Sequence, residues 1–291
     1  MTHKAGYANI IGRPNVGKST LINQLIGEQL SIITKKAQTT RNRVLGIVNT
    51  DDYQIVFSDT PGILNPAYEL QEKMMTYVEE AFEDADVLIY LVEIGEKEPI
   101  NNVFFEKFRD TKQNKLLIIN KIDLSNQEKM EKAIDYWHGL LPETEILPIS
   151  AKENVGVDFI LNKIISLLPE SPPYYPKEYF TEKPKRFFVN EKIREKILIN
   201  YDKEIPYAVE VVTETFVEDE TRIEIESIIY VERESQKGII IGHKGVGLSK
   251  IGKEARLELA VFFNKKIYLH LYVKVKKDWR KNNNFLKQFG Y

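Results

Sequence analysis

Residues 12–19 read Gly12-Arg13-Pro14-Asn15-Val16-Gly17-Lys18-Ser19 and fit the pattern Gly-x-x-x-x-Gly-Lys-Ser/Thr. An apolar, strand-like segment, Tyr7–Ile11, leads into this stretch, and an amphipathic pattern, Lys18–Ile26, leaves it. A strand before and a helix after are the context that a phosphate-binding loop requires. Its glycines let backbone N–H groups turn inward around phosphate oxygens, and the helix N-terminus adds its dipole. The stretch therefore predicts a nucleotide-binding loop in an α/β domain.

The polar residues at the end of this loop predict its chemistry. Lys18 would bridge the β- and γ-phosphates, and the Ser19 hydroxyl would bind Mg²⁺. We expect the following residues of the loop to contact the nucleotide: Gly12, Asn15, Val16, Gly17, Lys18, Ser19 and Thr20.

Short apolar runs alternate with helical patterns along the first 170 residues. The predicted strands are Tyr7–Ile11, Gln54–Ser58, Val87–Val92, Lys115–Ile119 and Ile146–Ile149, and the predicted helices are Lys18–Ile26, Glu69–Ala85, Asn101–Thr111, Gln127–Leu140 and Gly156–Leu168. This alternation indicates a mostly parallel sheet with helices on both faces. Arg43–Asn49 and the next strand, joined by a short polar turn, predict an antiparallel hairpin at one edge.

Two further motifs each follow a predicted strand. Asp59-Thr60-Pro61-Gly62 comes directly after Gln54–Ser58, at the carboxyl end, where open α/β sheets bind ligands. Asp59 would hold Mg²⁺ through a water molecule, and the Gly62 N–H would contact the γ-phosphate. Ser150-Ala151-Lys152 follows the last strand, and we expect the Ala151 N–H to meet O6 of a guanine base.

The next motif, Asn120-Lys121-Ile122-Asp123, would select the base. The Asp123 carboxylate can accept two hydrogen bonds from the N1–H and N2–H₂ edge of guanine, whereas adenine offers no such donor pair. Asn120 would tie this loop to the phosphate loop, and the stem of Lys121 would cover one face of the base. The motifs together predict a guanine-nucleotide site.

A proline-rich segment divides the chain. Residues 169–176 contain four of its twelve prolines, and proline at this density resists helix and sheet and favours a stiff spacer. We therefore expect a first domain over residues 1–170, a linker over 171–184 and a second domain over 185–291. The second domain has a predicted helix, two β-rich runs, an apolar run, a further helix and a last strand, in the order helix–strand–strand–helix–helix–strand: Arg186–Asn200, Tyr207–Val217, Arg222–Arg233, Lys237–Lys244, Gly247–Phe263 and Lys266–Lys276.

The second domain is basic and contains a Gly-x-x-Gly loop. Residues 236–291 carry 13 Lys/Arg against 3 Asp/Glu, which favours a polyanionic partner. In KH domains such a loop lets a nucleic-acid backbone approach closely, beside a groove that takes about four bases. The predicted RNA contacts are Gly238, Ile241, Gly242, His243, Lys244, Gly245, Lys250, Lys253 and Arg256. The alternative is a glycine hinge between two helices.

Two other groups of residues in the second domain, one of lysines and one of aromatic residues, are weaker indications of RNA binding. Lys274, Lys276 and Lys277 fit RNA contact and a solvated strand edge equally well. The aromatic residues Phe262, Phe263 and Tyr272 could stack on bases, but their spacing favours packing in the core.

The amino-acid sequences of these motifs resemble those of one family. Residues 12–21, Lys36-Ala37-Gln38-Thr39-Thr40-Arg41 and residues 59–62 are similar to the Era family of translation-factor-related GTPases. The element order of the second half resembles the type II KH domain of the same family. The resemblance implies an α/β P-loop NTPase (small G protein) domain followed by an α+β type II KH domain.

The resemblance also implies roles for residues that spacing leaves open. Thr40 would close over Mg²⁺ and the γ-phosphate, although spacing alone does not separate it from Thr39. Lys18, Thr40 and Gly62 would then be the catalytic contacts, and Ser19, Thr40 and Asp59 would hold the metal. Relatives with asparagine at the position of Asn15 imply a K⁺ ion there.

The implied function is a GTPase that binds the single-stranded 3′ end of 16S ribosomal RNA in small-subunit assembly. GTP would order Lys35–Thr40 and Ile63–Tyr68, and hydrolysis would release them. Ile63 stands where many GTPases place a water-orienting glutamine, so turnover should be slow and stimulated by RNA or the subunit. The family further implies a monomer in the cytoplasm with some peripheral membrane association.

Composition and the missing motifs limit the alternatives. The chain has no cysteine, which excludes disulfides, thiolate metal sites and cysteine nucleophiles, and its four histidines are scattered. The N-terminus leads into a strand without an apolar signal core, so we do not expect secretion. One rival is an RNA-binding scaffold with negligible turnover. The other is a related GTPase of tRNA modification or large-subunit assembly. Relatives with two G domains need a second phosphate loop, and this sequence has none, which disfavours that rival.

Overall fold

The computed structural model describes residues 3–99 and 101–291. The chain divides into two compact units, one formed by Met1–Ala67 with Gln71–Glu182 and the other by Tyr68–Leu70 with Lys183–Tyr291. Among residues 3–99 and 101–291, none of the helices combines the length and the apolar character that a membrane span needs.

The first unit contains a six-stranded sheet. Its strands are β1 (Lys4–Gly12), β2 (Val44–Asn49), β3 (Tyr53–Asp59), β4 (Val87–Glu93), β5 (Asn114–Asn120) and β6 (Glu145–Pro148). Its helices are α1 (Lys18–Ile26), α2 (Glu69–Glu83), α3 (Asn102–Asp110), α4 (Gln127–Leu140) and α5 (Val157–Leu167). The strand order is β2-β3-β1-β4-β5-β6, and only β2 is antiparallel to its neighbour. The predicted parallel sheet and edge hairpin are confirmed.

The register of the parallel strands brings the sequence motifs to one edge of the sheet. Ile10 near the end of β1 pairs with Asp59 at the end of β3, and Glu93 at the end of β4 pairs with Asn120 at the end of β5. The central strand β4 is buried along its apolar length because both faces of the sheet are covered. Residues far apart in sequence therefore share one surface.

Residues 171–182, most of the segment 171–184 that we expected to act as a stiff spacer, contain turns and bends and lie against β2 and β3. The Ile47 N–H donates to the Phe180 carbonyl at 2.8 Å, and the Thr181 hydroxyl donates to the Leu45 carbonyl at 2.6 Å. The side chain of Gln54 accepts from the N–H groups of Tyr174 and Tyr175 at 2.7 and 3.0 Å. The prolines prevent a regular ladder, yet the segment, here called the arm, follows the edge of the sheet.

The second unit has three strands and five helices. They are α6 (Lys185–Asn200), α7 (Ile205–Ala208), β7 (Glu210–Glu218), β8 (Arg222–Val231), α8 (Glu234–Ile241), α9 (Val246–Phe263), β9 (Lys266–Val275) and α10 (Asn283–Phe289). β7 and β8 are antiparallel, whereas β8 and β9 are parallel and connect through α8 and α9. The predicted start of the first strand at Tyr207 is wrong, because Tyr207 and Ala208 belong to α7, whose first turn contains Pro206.

Helices cover one face of this sheet, and the last strand shows the alternation that follows. Ile267 and Val273 of β9 are buried, whereas Tyr268 and Tyr272 point outward with 38% and 52% of their surface exposed. The prediction that Tyr272 packs in the core is therefore wrong. Phe263 packs against the core of this unit, as predicted. Phe262 contacts the Phe263 ring at 4.9 Å between centroids but keeps 38% of its surface exposed, so the prediction that it packs in the core is wrong.

The last residues of the second domain form a cover over part of the outer face of its sheet. Phe289 of α10 lies 5.2 Å from the ring of Tyr230 on β8. The ammonium of Lys276 lies 4.3 Å from the ring centroid of Phe285 and 4.8 Å from that of Phe289. Lys276 thus has a structural role in holding α10, while Lys274 and Lys277 stay exposed.

The hydrogen bonds between the arm and the buried side chain of Gln54 predict that this residue contributes to stability. Replacing Gln54 by leucine, which has a similar volume, removes the acceptor of two N–H groups and a donor to the Tyr175 carbonyl. We expect the free energy of unfolding of the first unit to fall by about 2 kcal/mol, the cost of leaving such groups unsatisfied.

Urea unfolding followed by the fluorescence of Trp137, in a Trp279→Phe background, measures this effect in the first unit alone. The matched control is Gln127→Leu, an exposed glutamine on α4 that hydrogen-bonds only Glu131, which should change stability by less than about 0.5 kcal/mol. Equal stability of the two variants would contradict a structural role for the arm contact.

Candidate nucleotide site and RNA-binding surface

The phosphate loop has the backbone conformation that turns N–H groups inward. Gly17 has φ of 102°, and a side chain there would strike the amide of Asn120, so glycine is required by conformation and by space. Asn15 has φ of 64°, a region that asparagine tolerates better than most residues. Val16 is buried between these two positions. The loop then passes directly into α1 at Lys18.

Lys18 holds a buried positive charge over this loop. Its Nζ donates to the carbonyls of Gly12 and Arg13 at 3.1 and 2.8 Å. Burial lowers the pKa of the Lys18 ammonium to about 8, while the charges of Asp59 and Glu96 oppose that shift. A phosphate group in the loop would supply the strong negative partner that this ammonium requires.

The three predicted metal-binding residues meet at the end of β3. The Ser19 hydroxyl donates to Asp59 Oδ2 at 2.8 Å, and the Thr40 hydroxyl lies 3.1 Å from the Ser19 oxygen and 3.4 Å from Asp59 Oδ2. The other carboxylate oxygen, Asp59 Oδ1, is buried and accepts no hydrogen bond from any described residue. Burial accordingly raises the pKa of Asp59, against the hydroxyls of Ser31 and Ser19 and the charge of Lys18.

This arrangement fits magnesium. Mg²⁺ commonly keeps several water molecules and uses one or two protein oxygens together with substrate phosphates, and a metal-bound water would satisfy the orphaned oxygen of Asp59. Within residues 3–99 and 101–291, no three histidine, aspartate or glutamate side chains form a metal cluster of their own. With such a set, the phosphates of a nucleotide would complete the coordination.

The two candidate threonines differ in their surroundings. The Thr39 hydroxyl donates to the Lys36 carbonyl at 2.6 Å and lies 2.7 Å from the hydroxyl of Thr34, within its own segment. Thr40 instead contacts Ser19 and Asp59. The same segment meets the phosphate loop where Asn15 Nδ2 donates to the Lys35 carbonyl at 3.0 Å.

The segment after β3 packs tightly against the phosphate loop. The Thr60 hydroxyl donates to the Ile10 carbonyl at 2.6 Å, and the Ile63 N–H donates to the Gly12 carbonyl at 3.0 Å. A side chain on Gly62 would lie 2.6 Å from the backbone of Pro14, so only glycine allows this approach. The Ile63 side chain is fully buried and cannot orient a water molecule.

Asn120 joins the base-recognition loops to the phosphate loop. Its Nδ2 donates to the Val16 carbonyl at 2.8 Å, and its Oδ1 accepts from the Ala151 N–H at 2.9 Å. The Ala151 N–H, which we expect to meet guanine O6, thus lies beside Asn120 at the end of β5. The Ser150 hydroxyl donates to Asp123 Oδ1 at 2.6 Å and so orients the exposed carboxylate.

The two lysines of these loops make ion pairs. Lys121, with φ of 65°, contacts Glu93 Oε2 at 2.5 Å. The ammonium of Lys152 is exposed and contacts its neighbour Glu153 at 2.6 Å. Lys121 is thus fixed beside the end of β4, whereas Lys152 reaches into solvent.

The Gly-x-x-Gly loop of the second unit is a tight turn between α8 and α9. Gly242 and Gly245 have φ of 72° and 82°, and Lys244 between them has φ of 50°. A side chain on Gly242 would lie 2.9 Å from the backbone nitrogen of Gly247, so the two helices can approach only through glycine. His243 and Lys244 are exposed at the tip.

The other predicted RNA contacts lie around this loop. Lys250, Lys253 and Arg256 are exposed on α9, and Lys250 lies 3.9 Å from Glu254. Gly238 in α8 borders open space, whereas Ile241 is half-buried against the core of the unit. The loop and α9 therefore form one basic surface.

Sequence reasoning missed several residues that shape the nucleotide site. Arg13 binds Glu96 at 2.7 Å and the Glu98 carbonyl at 2.6 Å, which ties the phosphate loop to the segment after β4. Asn23 of α1 holds the backbone of Ser31 from both sides, at 2.9 and 3.1 Å. No motif marks these residues, because each acts on a segment whose position depends on the fold.

Comparison with known proteins agrees with both halves of the chain. A family model described as a 50S ribosome-binding GTPase matches residues 8–121, and a KH domain model matches residues 204–280. The chain is 42% identical over 291 residues to GTPase Era of Staphylococcus epidermidis, covering 99% of this chain and 97% of that protein. It is 45% identical over 291 residues to GTPase Era of Syntrophus aciditrophicus, covering 99% and 95%.

Two solved structures are similar over the whole chain. One is Era in complex with MgGDPNP and nucleotides 1506–1542 of 16S ribosomal RNA, with a TM-score of 0.95, 37% identity and 99% of each chain covered. The other is an Aquifex aeolicus Era variant bound to GDP·AlF4⁻, with the same TM-score of 0.95, identity of 37% and coverage of 99%.

The geometry around Asp123 predicts a change of base preference. An Asp123→Asn variant replaces one carboxylate acceptor by an NH₂ donor, which suits the C2 carbonyl of xanthine rather than the C2 amine of guanine. We expect GDP affinity to fall by about 100-fold, the loss of about 2–3 kcal/mol for hydrogen bonds to a charged group, and XDP affinity to rise.

Equilibrium titration with fluorescent GDP and XDP measures both changes. Lys152→Ala, in the neighbouring loop but exposed and paired only with Glu153, is the control and should keep the preference for GDP. If Asp123→Asn bound both nucleotides as the unchanged protein does, Asp123 would not read the base.

Proposed function

The chain belongs to the Era family of GTPases, and from this premise we propose that it binds the single-stranded 3′ end of 16S ribosomal RNA and acts in assembly of the small ribosomal subunit. The observation that carries the proposal is the meeting of Ser19, Thr40 and the half-satisfied carboxylate of Asp59 beside the buried ammonium of Lys18. The same chain carries a Gly-x-x-Gly loop on a basic surface. Similarity to Era bound to MgGDPNP and 16S RNA supports both parts.

In the proposed reaction the residues of the site mainly position GTP and stabilise charge. Lys18 would contact the β- and γ-phosphates and balance the charge that develops on them. Ser19 and Thr40 would hold magnesium directly and Asp59 through water. Bound magnesium would supply positive charge between the phosphates. The Gly62 N–H would contact the γ-phosphate.

We expect turnover to be slow without a partner. The buried Ile63 offers no hydrogen bond to an attacking water, and its backbone N–H is held by Gly12. A K⁺ ion beside Asn15 would add positive charge near the phosphates. This proposal is supported by the position of Asn15 next to the Lys35 carbonyl, a second oxygen that a cation could use.

The arm connects the nucleotide site to the start of the second unit: it is hydrogen-bonded to β2, and the chain continues from it into α6. Thr40 lies four residues before β2, and β2 carries the contacts to Phe180 and Thr181 of the arm. Loss of the γ-phosphate would release Thr40 and the segment before β2. We propose that this change passes through β2 to the arm, which continues into α6.

We also propose, from the family resemblance, that the protein acts in the cytoplasm as a monomer and associates peripherally with membranes. The basic surface around α9 would favour anionic headgroups as well as RNA phosphates. Binding to RNA should compete with binding to such membranes.

The proposed function predicts RNA-stimulated GTP hydrolysis. We expect Mg²⁺-dependent release of phosphate from GTP but not ATP, a rate that rises with a 3′-end 16S oligonucleotide, and a further rise in K⁺ over Na⁺ buffer. Phosphate release by the purified full chain measures all three, and an Asn15→Ala variant should lose the K⁺ effect.

A scrambled oligonucleotide of the same length and composition is the control for the RNA effect. Tight GTP binding without turnover under any condition would instead favour the scaffold function. Equal rates of GTP hydrolysis in K⁺ and Na⁺ would contradict the proposed K⁺ site at Asn15 but not the rest of the proposed function.

The basic surface predicts a salt-dependent RNA affinity. In a Lys253→Ala/Arg256→Ala variant we expect weaker RNA binding at low salt, because both side chains are exposed on α9 and would meet phosphates. The slope of log affinity against log salt should fall by about 0.7 for each contact removed.

Fluorescence anisotropy with the 3′-end oligonucleotide at several salt concentrations measures this slope. Lys129→Ala/Lys132→Ala removes the same charge from the exposed face of α4 and is the matched control. An identical slope in both double variants would mean that α9 does not contact the RNA backbone.

A further inference from the structure

The segment that begins with the last residue of β4, residues 93–98, contacts both loops of the nucleotide site and is here called the β4 turn. The Ile94 N–H donates to the Asn120 carbonyl at 2.9 Å, which places the turn beside the base-recognition loop. The Tyr136 hydroxyl of α4 donates to the Lys97 carbonyl. The β4 turn is therefore held both by β5 and by α4.

The carboxylate of Glu96 lies at the centre of the β4 turn. Only 6% of its side chain is exposed, and each of its oxygens accepts a hydrogen bond. Oε1 accepts from Arg13 Nε at 2.7 Å, and Oε2 accepts from the Glu93 N–H at 3.3 Å. The Glu96 N–H in turn donates to the Glu93 carbonyl at 3.0 Å. Because a buried carboxylate requires such partners, the position of Glu96 depends on Arg13 and on Glu93.

Arg13 connects this carboxylate to the phosphate loop. Its Nη2 also donates to the Glu98 carbonyl at 2.6 Å, so two contacts with the β4 turn fix the guanidinium. The backbone carbonyl of Arg13 accepts from Lys18 Nζ at 2.8 Å. The side chain of Arg13 thus anchors the residue whose carbonyl holds the ammonium that we expect to contact the phosphates.

Glu93 connects the same turn to the base-recognition loop. Its Oε2 lies 2.5 Å from the ammonium of Lys121, whose stem we expect to cover one face of the base. Lys121 has φ of 65°, and a residue other than glycine keeps this conformation only where surrounding contacts hold it. The ion pair with Glu93 is one such contact, so the β4 turn helps to fix the lysine beside the base.

We propose that Glu96 is a positioning residue that couples the phosphate loop to the base-recognition loop. It holds Arg13 on one side and Glu93 on the other, so that the lysines of the two loops take their positions together. This coupling rests on the proposed binding of guanine nucleotides. It acts in addition to Asn120, whose own side chain joins the two loops directly.

Coupling through one carboxylate has a consequence that can be measured with two nucleotides. GMP keeps the base but lacks the β-phosphate that Lys18 would contact. If Arg13 acted on the phosphate loop alone, its loss would weaken GDP binding and leave GMP binding unchanged. If Glu96 couples the loops, the loss of Arg13 also disturbs Lys121 and weakens the binding of both nucleotides.

Competition of GDP and of GMP against N-methylanthraniloyl-GDP on the full chain measures both affinities. We expect Arg13→Ala and Glu96→Gln each to weaken GDP binding by about tenfold, the loss of one hydrogen bond between charged groups, and to weaken GMP binding as well. The double variant should bind no more weakly than either single variant, because both changes break the same contact.

Two further variants are controls for this experiment. Arg13→Lys keeps a positive charge beside Glu96 and should retain most of the affinity for both nucleotides. Arg109→Ala removes an exposed arginine of α3 that pairs with its neighbour Asp110, and both affinities should stay unchanged. A melting temperature without nucleotide equal to that of Arg109→Ala assigns a loss of affinity to the nucleotide site rather than to folding.

The outcomes separate the coupling from the function on which it rests. Additive losses in the double variant, or a loss of GDP affinity without a loss of GMP affinity, would overturn the coupling. If Glu96→Gln lowered the melting temperature, Arg13→Ala would decide alone, because 35% of the Arg13 side chain is exposed and its removal leaves no buried cavity of that size. If the unchanged protein did not bind GDP, the proposed GTPase function would be wrong instead.

Discussion

The buried carboxylate of Asp59 is the constraint on which the rest of the nucleotide site depends. A charge at this depth is unfavourable unless donors or a cation surround it. Ser19 reaches it from α1, Thr40 reaches it from the segment before β2, and Lys18 supplies a positive charge across the loop. One oxygen nevertheless lacks a hydrogen bond. The fold thus concentrates an unsatisfied negative group where the phosphates of a nucleotide, which need a cation, would lie.

Asn120 acts in a comparable way for the loops that surround the base. Its amide joins the phosphate loop at Val16 to the loop at Ala151, and it is almost fully buried. One side chain therefore fixes the distance between the groups that bind phosphate and those that read guanine. The same packing explains Gly17, because no side chain at that position could lie beside the Asn120 amide.

The sequence was sufficient to predict the features that depend only on the order of strands and helices. The carboxyl ends of parallel strands meet at one edge, so motifs after β1, β3, β5 and β6 had to converge once the alternation of strands and helices was recognised. The sequence was not sufficient where a residue acts through tertiary contacts. Asn23, Ser31 and the arm have no motif, and the outward position of Tyr272 depends on which face of the sheet the helices cover. The acceptor of the Ala151 N–H could not be predicted either, because it is the side chain of Asn120 on another loop.

The segment between α1 and β3 gives the molecule a physical means of coupling. It follows α1, whose Asn23 holds Ser31, passes Thr40, and enters β2, which is paired with β3 on one side and with the arm on the other. Because β3 ends at Asp59, both this segment and its partner strand converge on the same carboxylate. A change in the ligands of Asp59 must then be accommodated either within the loop or by β2 and the arm. The short distance from Thr40 to β2 limits what the loop alone can absorb, and this favours transmission along the strand.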